Sequence, residues 1–178
     1  MPRPILLIAL ALSLALTGSA APSEASDATR EAKILASAKE LMQQARYCAL
    51  ITVDDASQPQ ARTVDPLPGD GGLEVWVLTN LSSRKVAQLR HNPRATLYYF
   101  TQTSPGYVTL LGEATVIESA ADKASAWRPA WGEARRTQIA REEFVLIHFR
   151  PHRLEIVSYA HGLANDPKTM LPVILDLP

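Results

Sequence analysis

Two hydroxyls followed at once by two cations, in LTNLSSRKVAQL at residues 78–89, are the chain's clearest invitation to chemistry. Apolar spacing changes there from strand-like to helix-like. Ser82 is expected to cap the helix, with Leu81 at N′ and Val86 at N4 forming a hydrophobic staple across its start. Arg84 and Lys85 then occupy N2 and N3. Free backbone N–H groups and the macrodipole already make such a turn electropositive. Each cation added there costs roughly 0.3–1 kcal/mol when nothing offsets it. A bound phosphate reverses the balance, because it accepts backbone, hydroxyl and charge-assisted hydrogen bonds together.

An isolated SSRK is ordinarily a solvated helix end, since surface Arg and Lys are common. Its neighbours argue for more. Arg62 stands mid-strand in ARTVDPL, and Thr79 and Asn80 put polar groups at a strand exit. Together they point to a phosphate pocket. Neither GxxxxGK[ST] nor GxGxxG occurs, so the phosphate is not that of a nucleoside triphosphate on a P-loop or a dinucleotide on its fingerprint. A compact phosphorylated cofactor fits better.

Other chemistry has less support. His148 and His152 are four apart but separated by Pro151 in a β-rich stretch, and no HExxH occurs, which argues against zinc. His161 in the tail can be imagined as a haem ligand, but a lone tail histidine is much more often plain surface. No GxSxG elbow lies downstream of the leader, and Cys48 in YCALITV reads as a small buried hydrophobe. Trp127 and Trp131, four apart, are expected to pack in the core.

The elements that must hold these residues follow from periodicity. Ile34, Leu35, Ala38, Leu41, Met42 and Ala45 mark an amphipathic helix ending near Arg46. Tyr47–Val53 and Gln60–Leu67 read as a hairpin around a turn at 54–59, and 66–72 as a loop. Leu73–Thr79 is a strand and 82–91 a short helix stopped by Asn92-Pro93. Arg94–Thr101 and Tyr107–Glu118 are strands, the second with Gly112 marking a bulge or close backbone approach. Ala120–Trp131 is helical until Pro129, and Glu143–Tyr159 is a long strand interrupted at Pro151. Six strands joined mostly as hairpins predict a mainly β fold with flanking helices, an antiparallel sheet or barrel.

The first residues are expected to leave the protein. One arginine, an apolar run from Ile5 to Leu16 and small residues to Ala21 form a secretory signal, too short for a membrane span. The expected layout is signal 1–21, linker 22–30, domain 31–159 and a tail 160–178 lying on it. Localisation is accordingly periplasmic or secreted. Lys plus Arg and Asp plus Glu balance at 18 each, so nothing pulls the whole chain toward nucleic acid. A single cysteine allows no internal disulfide.

TNLSSRKVAQLRHNPRATLYYF, with ARTV upstream and GYVTLLGEATVIE downstream, resembles the flavin-site segment of the pyridoxamine 5′-phosphate oxidase-like, FMN-binding split-barrel superfamily. The resemblance spans about 35–159. It implies a six-stranded, Greek-key-like split barrel, with Arg62, Ser83, Arg84 and Lys85 on the FMN phosphate. Thr63, Val64, Leu78 and Thr79 would lie along the flavin, and the cofactor would sit in a groove between the subunits of a homodimer. Three departures turn the expectation away from vitamin B6 chemistry. Leu67 stands where the oxidases carry lysine, Tyr107 where they carry glutamine, and their C-terminal arginine and tryptophan motif is missing. The ending is closer to the general-stress-protein-like branch. The implied function is a flavin-dependent oxidoreductase on a small molecule; a non-catalytic binder of flavin or haem is the alternative, and a deazaflavin could replace FMN.

Overall fold

The computed structural model describes residues 22–102 and 105–178, so the leader expected at 1–21 lies outside it. Helix α1 (Pro22–Ala45) is followed by β1 (Cys48–Val53), β2 (Pro59–Val64), β3 (Pro66–Pro68) and β4 (Val75–Asn80). Then come α2 (Arg84–His91), β5 (Arg94–Thr101), β6 (Gly106–Ile117), α3 (Ala120–Ala126) and α4 (Glu133–Ala140). The long β7 (Phe144–Ser158) and the short β8 (Val173–Asp176) complete the chain. All strand pairings are antiparallel, in the order β2-β1-β5-β6-β7-β4-β3, with β8 also on β7. The end strands β2 and β3 are consecutive in sequence and part only at Asp65. The sheet therefore curls into a half-barrel whose two edges belong to one stretch of chain.

Alternation sorts the side chains. Cys48, Leu50 and Thr52 of β1 point inward, as do Leu97 and Tyr99 of β5 and Val108 and Leu110 of β6. Ile34, Ala38 and Leu41 of α1, one helical face, are buried against this core. Each large side chain so buried is worth about 1.5–3 kcal/mol. A second, smaller cluster lies on the other face of β4 and β7, where Leu67, Trp76, Leu146, Trp131 and Ile139 meet. Lys123 of α3 is buried there and donates to the carbonyls of Arg141 (3.0 Å) and Phe144 (2.9 Å), which ties α3 to the end of α4.

Several expectations need correction. The described residues form eight strands, not six: 66–68, expected as loop, forms β3 on β4, and the tail supplies β8. The segment 22–30, expected as linker, is the first part of α1, with residues 26–33 exposed and Ile34 buried. Pro151 does not interrupt the last strand, because it falls where the β6–β7 register shifts and no ladder N–H is needed. Gly112 occupies the facing position. A Cβ there would lie 2.1 Å from the Arg150 carbonyl oxygen, so the close approach read from the sequence is real.

Candidate functional site

Asn80 ends β4 and decides where the next helix begins. Its Oδ1 accepts from the backbone N–H (2.9 Å) and hydroxyl (2.6 Å) of Ser82, which commits Ser82 to the turn. The helix cap is therefore Ser83, one residue later than expected, and Arg84 and Lys85 open α2 at N1 and N2. The Ser83 hydroxyl caps no N–H of its own helix; it lies 3.5 Å from Thr79 Oγ1. Lys85 reaches back to the same oxygen, its Nζ donating at 2.7 Å.

Arg62 arrives from the inward face of β2, opposite Leu50. Its Nη1 donates to the Leu50 carbonyl (3.0 Å) and to Thr52 Oγ1 (2.6 Å), and its Nη2 to Gln88 Oε1 (3.0 Å). Thr52 donates to the same Gln88 oxygen at 2.6 Å. Sequence reasoning missed Thr52 and Gln88, which hold the guanidinium in place. Each carried a signal: Thr52 is a polar residue at an inward position of CALITV, and Gln88 lies on the buried side of α2 beside Leu89.

The electrostatics of the cluster are one-sided. Burial lowers the pKa of Lys85, and Arg62 lowers it further. Burial likewise lowers that of Arg62, with Arg84 adding to it. Asp54 is the nearby carboxylate that Arg84 influences, but it sits below the usual range chiefly because the Gln58 N–H and the β1–β2 turn bind it. Among the described residues, no salt bridge uses Arg62, Arg84 or Lys85. Three cations converge with no carboxylate of the described residues at salt-bridge distance from any of them.

The structure thus brings together Arg62, Thr79, Ser83, Arg84 and Lys85. The side chains of the remaining expected residues point elsewhere. Thr63 is exposed on the outer face of β2, Val64 is buried in the main core and Leu78 packs on the second cluster, across the sheet from Thr79. Only backbone contact remains open to Val64, and β2, as an end strand, leaves backbone groups turned away from β1. Two clefts lie apart from the cluster. One, of about 420 Å³, separates α1 from the β3–β4 connection; the other, of about 520 Å³, lies on the outer face beside the Gly112 bulge. Neither is lined by Arg62, Ser83, Arg84 or Lys85.

His148 and His161 are engaged. His148 stacks on Trp76 with ring centroids 3.8 Å apart and meets Glu74 at 2.9 Å. His161 lies between Ser158 (2.7 Å) and Glu40 (3.1 Å). Trp131 is core, as expected, whereas Trp127 is only partly buried and its indole N–H lacks a hydrogen-bond partner.

Comparison with known proteins agrees with this architecture. Among solved structures the fold is that of a Clostridium acetobutylicum protein related to general stress protein 26, with a TM-score of 0.64 at 18% identity over 82% of this chain and 95% of that one. General stress protein 26 of Bacillus anthracis str. Sterne gives 0.58 at 19%, over 83% and 98% of the two chains. A pyridoxamine 5′-phosphate oxidase-related, FMN binding protein of Nostoc punctiforme gives 0.52 at 17%, over 90% and 99%. The fold also extends to a heme binding protein of Mycobacterium smegmatis and to an F420 reductase. No curated protein matches the sequence. The family model for pyridoxamine 5′-phosphate oxidase matches residues 34–158, from the middle of α1 to the end of β7, and the chain belongs to that family.

Proposed function

We propose that the protein binds FMN, with Arg62, Ser83, Arg84 and Lys85 on the phosphate, and works as a flavin-dependent oxidoreductase on a small molecule. One observation carries the reading: three cations converge at a helix start whose cap hydroxyl binds no N–H of its own helix, and two of them are disfavoured by burial and by a neighbouring arginine, Lys85 by Arg62 and Arg62 by Arg84. A dianion offsets all three at once. The FMN-binding Nostoc relative supports the choice of cofactor, and the segment matching the family's flavin site includes every residue of the cluster from Thr79 to Lys85. Bound flavin would supply hydride or electron transfer, while the chain's own groups anchor the phosphate and orient the ring along β2.

The groove is proposed to be completed by a second copy of the chain. The basic cluster lies outside both clefts, which suits a site shared between two chains. The outer face of β1, β5 and β6 carries half-exposed Ile51, Tyr98 and Leu111 with exposed Phe100. The leader-like N-terminus supports export, which cell fractionation tests directly.

A non-catalytic flavin-binding protein is the second reading. Leu67, where the oxidases carry lysine, is buried against Trp76 and Trp131 and offers no polar group. Haem has less support, because ligation through either nitrogen of His161 would displace the partner that nitrogen now holds, Ser158 at Nδ1 or Glu40 at Nε2. Mass spectrometry of the small molecule that co-purifies, followed by reduction with a nicotinamide donor, separates these readings. Co-purified FMN that nicotinamide reduces supports the oxidoreductase. Bound FMN that no donor reduces supports the binding protein, and absence of any flavin from protein titrated with excess FMN rejects both.

A further inference from the structure

At the opposite end of β4 from the basic cluster, a cavity of about 420 Å³ opens between the last turns of α1 and the segment joining β3 to β4. That volume lies within the range of small-molecule sites. Its apolar side chains are those of Met42, Val75 and Tyr99. The Tyr99 hydroxyl is already engaged with the Cys48 thiol, so the floor presents essentially apolar surface.

The charges at the rim are unequally spent. Asp65 is paired with Arg135 at 3.1 Å, and Glu74 with His148 at 2.9 Å and Arg150 at 3.5 Å, all from outside the cavity lining. Lys39 and Arg46 have no acidic partner among the described residues. Lys39 donates to the Gly71 carbonyl, which pins the β3–β4 segment over α1. Arg46 follows the last residue of α1 at φ 59°, in the left-handed region where glycine is favoured. An arginine in that position gives up backbone ease and sets a guanidinium at the cavity mouth, over the Tyr47 ring at 5.0 Å.

We propose that this cavity is a second ligand site, for an apolar organic anion whose body lies on Met42, Val75 and Tyr99 and whose carboxylate or sulfonate meets Arg46 and Lys39. The two cations select charge, and the apolar floor selects a hydrocarbon or aromatic body over a small inorganic anion. The inference rests on residues other than the phosphate cluster: the cavity lining takes in Leu67 but none of Arg62, Ser83, Arg84 and Lys85.

The test uses the purified full chain and the fluorescent anion 8-anilinonaphthalene-1-sulfonate, displaced by dodecanoate, dodecanol or dodecyltrimethylammonium. Saturable binding of one probe per chain is expected, with dodecanoate displacing it at about tenfold or more lower concentration than the neutral or cationic analogue. Arg46→Gly discriminates a binding role from a structural one. Glycine suits φ 59°, so the melting temperature stays level or rises, while probe affinity falls about tenfold or more. Met42→Trp, which fills the cavity, also abolishes binding. Saturating FMN leaves the probe in place. The proposal is overturned by absence of saturable binding, by undiminished affinity in Arg46→Gly, or by stoichiometric displacement of the probe by FMN. Failure of FMN to bind at all would leave the probe result intact and would count against the flavin reading alone.

Discussion

Lys85 donates to Thr79 while burial and Arg62 both work against its charge. Its lowered pKa means that, between the folded value and the ordinary 10.5, the unfolded chain binds more protons than the folded one. The ligand-free protein should therefore gain stability as pH rises through that window and gain nothing more from this group above it. Melting curves for wild type and Lys85→Gln, compared over about pH 8 to 11, isolate the effect from other titrations. The wild type alone should show the rise, and a bound phosphate compound should flatten it. Neutralising the helix start tests the same residues by affinity. Arg84→Gln with Lys85→Gln removes two charge-assisted contacts of roughly 1.5–3 kcal/mol each, so FMN affinity should fall by about two orders of magnitude or more. The melting temperature of the free protein should stay level or rise. A collapse of the fold instead would make these side chains structural.

At the scale of the elements, the β6–β7 bulge keeps the longest pairing of the sheet intact around Pro151. Gly112→Ala would drive a Cβ to 2.1 Å from the Arg150 carbonyl oxygen and 2.7 Å from the Pro151 Cα, both backbone atoms that cannot step aside. A loss of roughly 1–3 kcal/mol is expected, measured by denaturant unfolding, with an unchanged result contradicting the bulge geometry. Gly112 was legible in the sequence because a lone glycine inside GYVTLLGEATVIE has few other reasons to be there. The short helix after β4 was legible for a similar reason, although its cap was misplaced by one residue. Ser82 and Ser83 are equally good caps on propensity, and only the Asn80 side chain, by taking Ser82, decides between them. Other elements left weaker traces. EARRTQIA of α4 buries only Ile139, too little for a periodic pattern, and β8 pairs with β7 from a proline-rich tail without clean alternation. Leu78 and Thr63 were assigned by likeness alone. The alternation of their strands, once the inward faces are known, turns both side chains away from the cluster.

For the whole molecule, the half-barrel leaves the outer face of β1, β5 and β6 uncovered in one chain. Ile51, Thr96 and Leu111 lie side by side across it in register. A charge planted in the middle, Ile51→Lys, should convert the proposed dimer to monomer by light scattering and weaken FMN binding in parallel, while leaving the inward core untouched. A wild type that is monomeric with FMN bound would contradict the shared groove. The central claim, that the start of α2 is built to receive a phosphate, is tested most directly by titrating the protein with FMN and with riboflavin, which differ by that group alone. FMN should bind about a hundredfold or more tighter, and the preference should vanish in the Arg84→Gln, Lys85→Gln double variant. Equal affinity for the two compounds, or a preference that survives the double variant, would contradict the account.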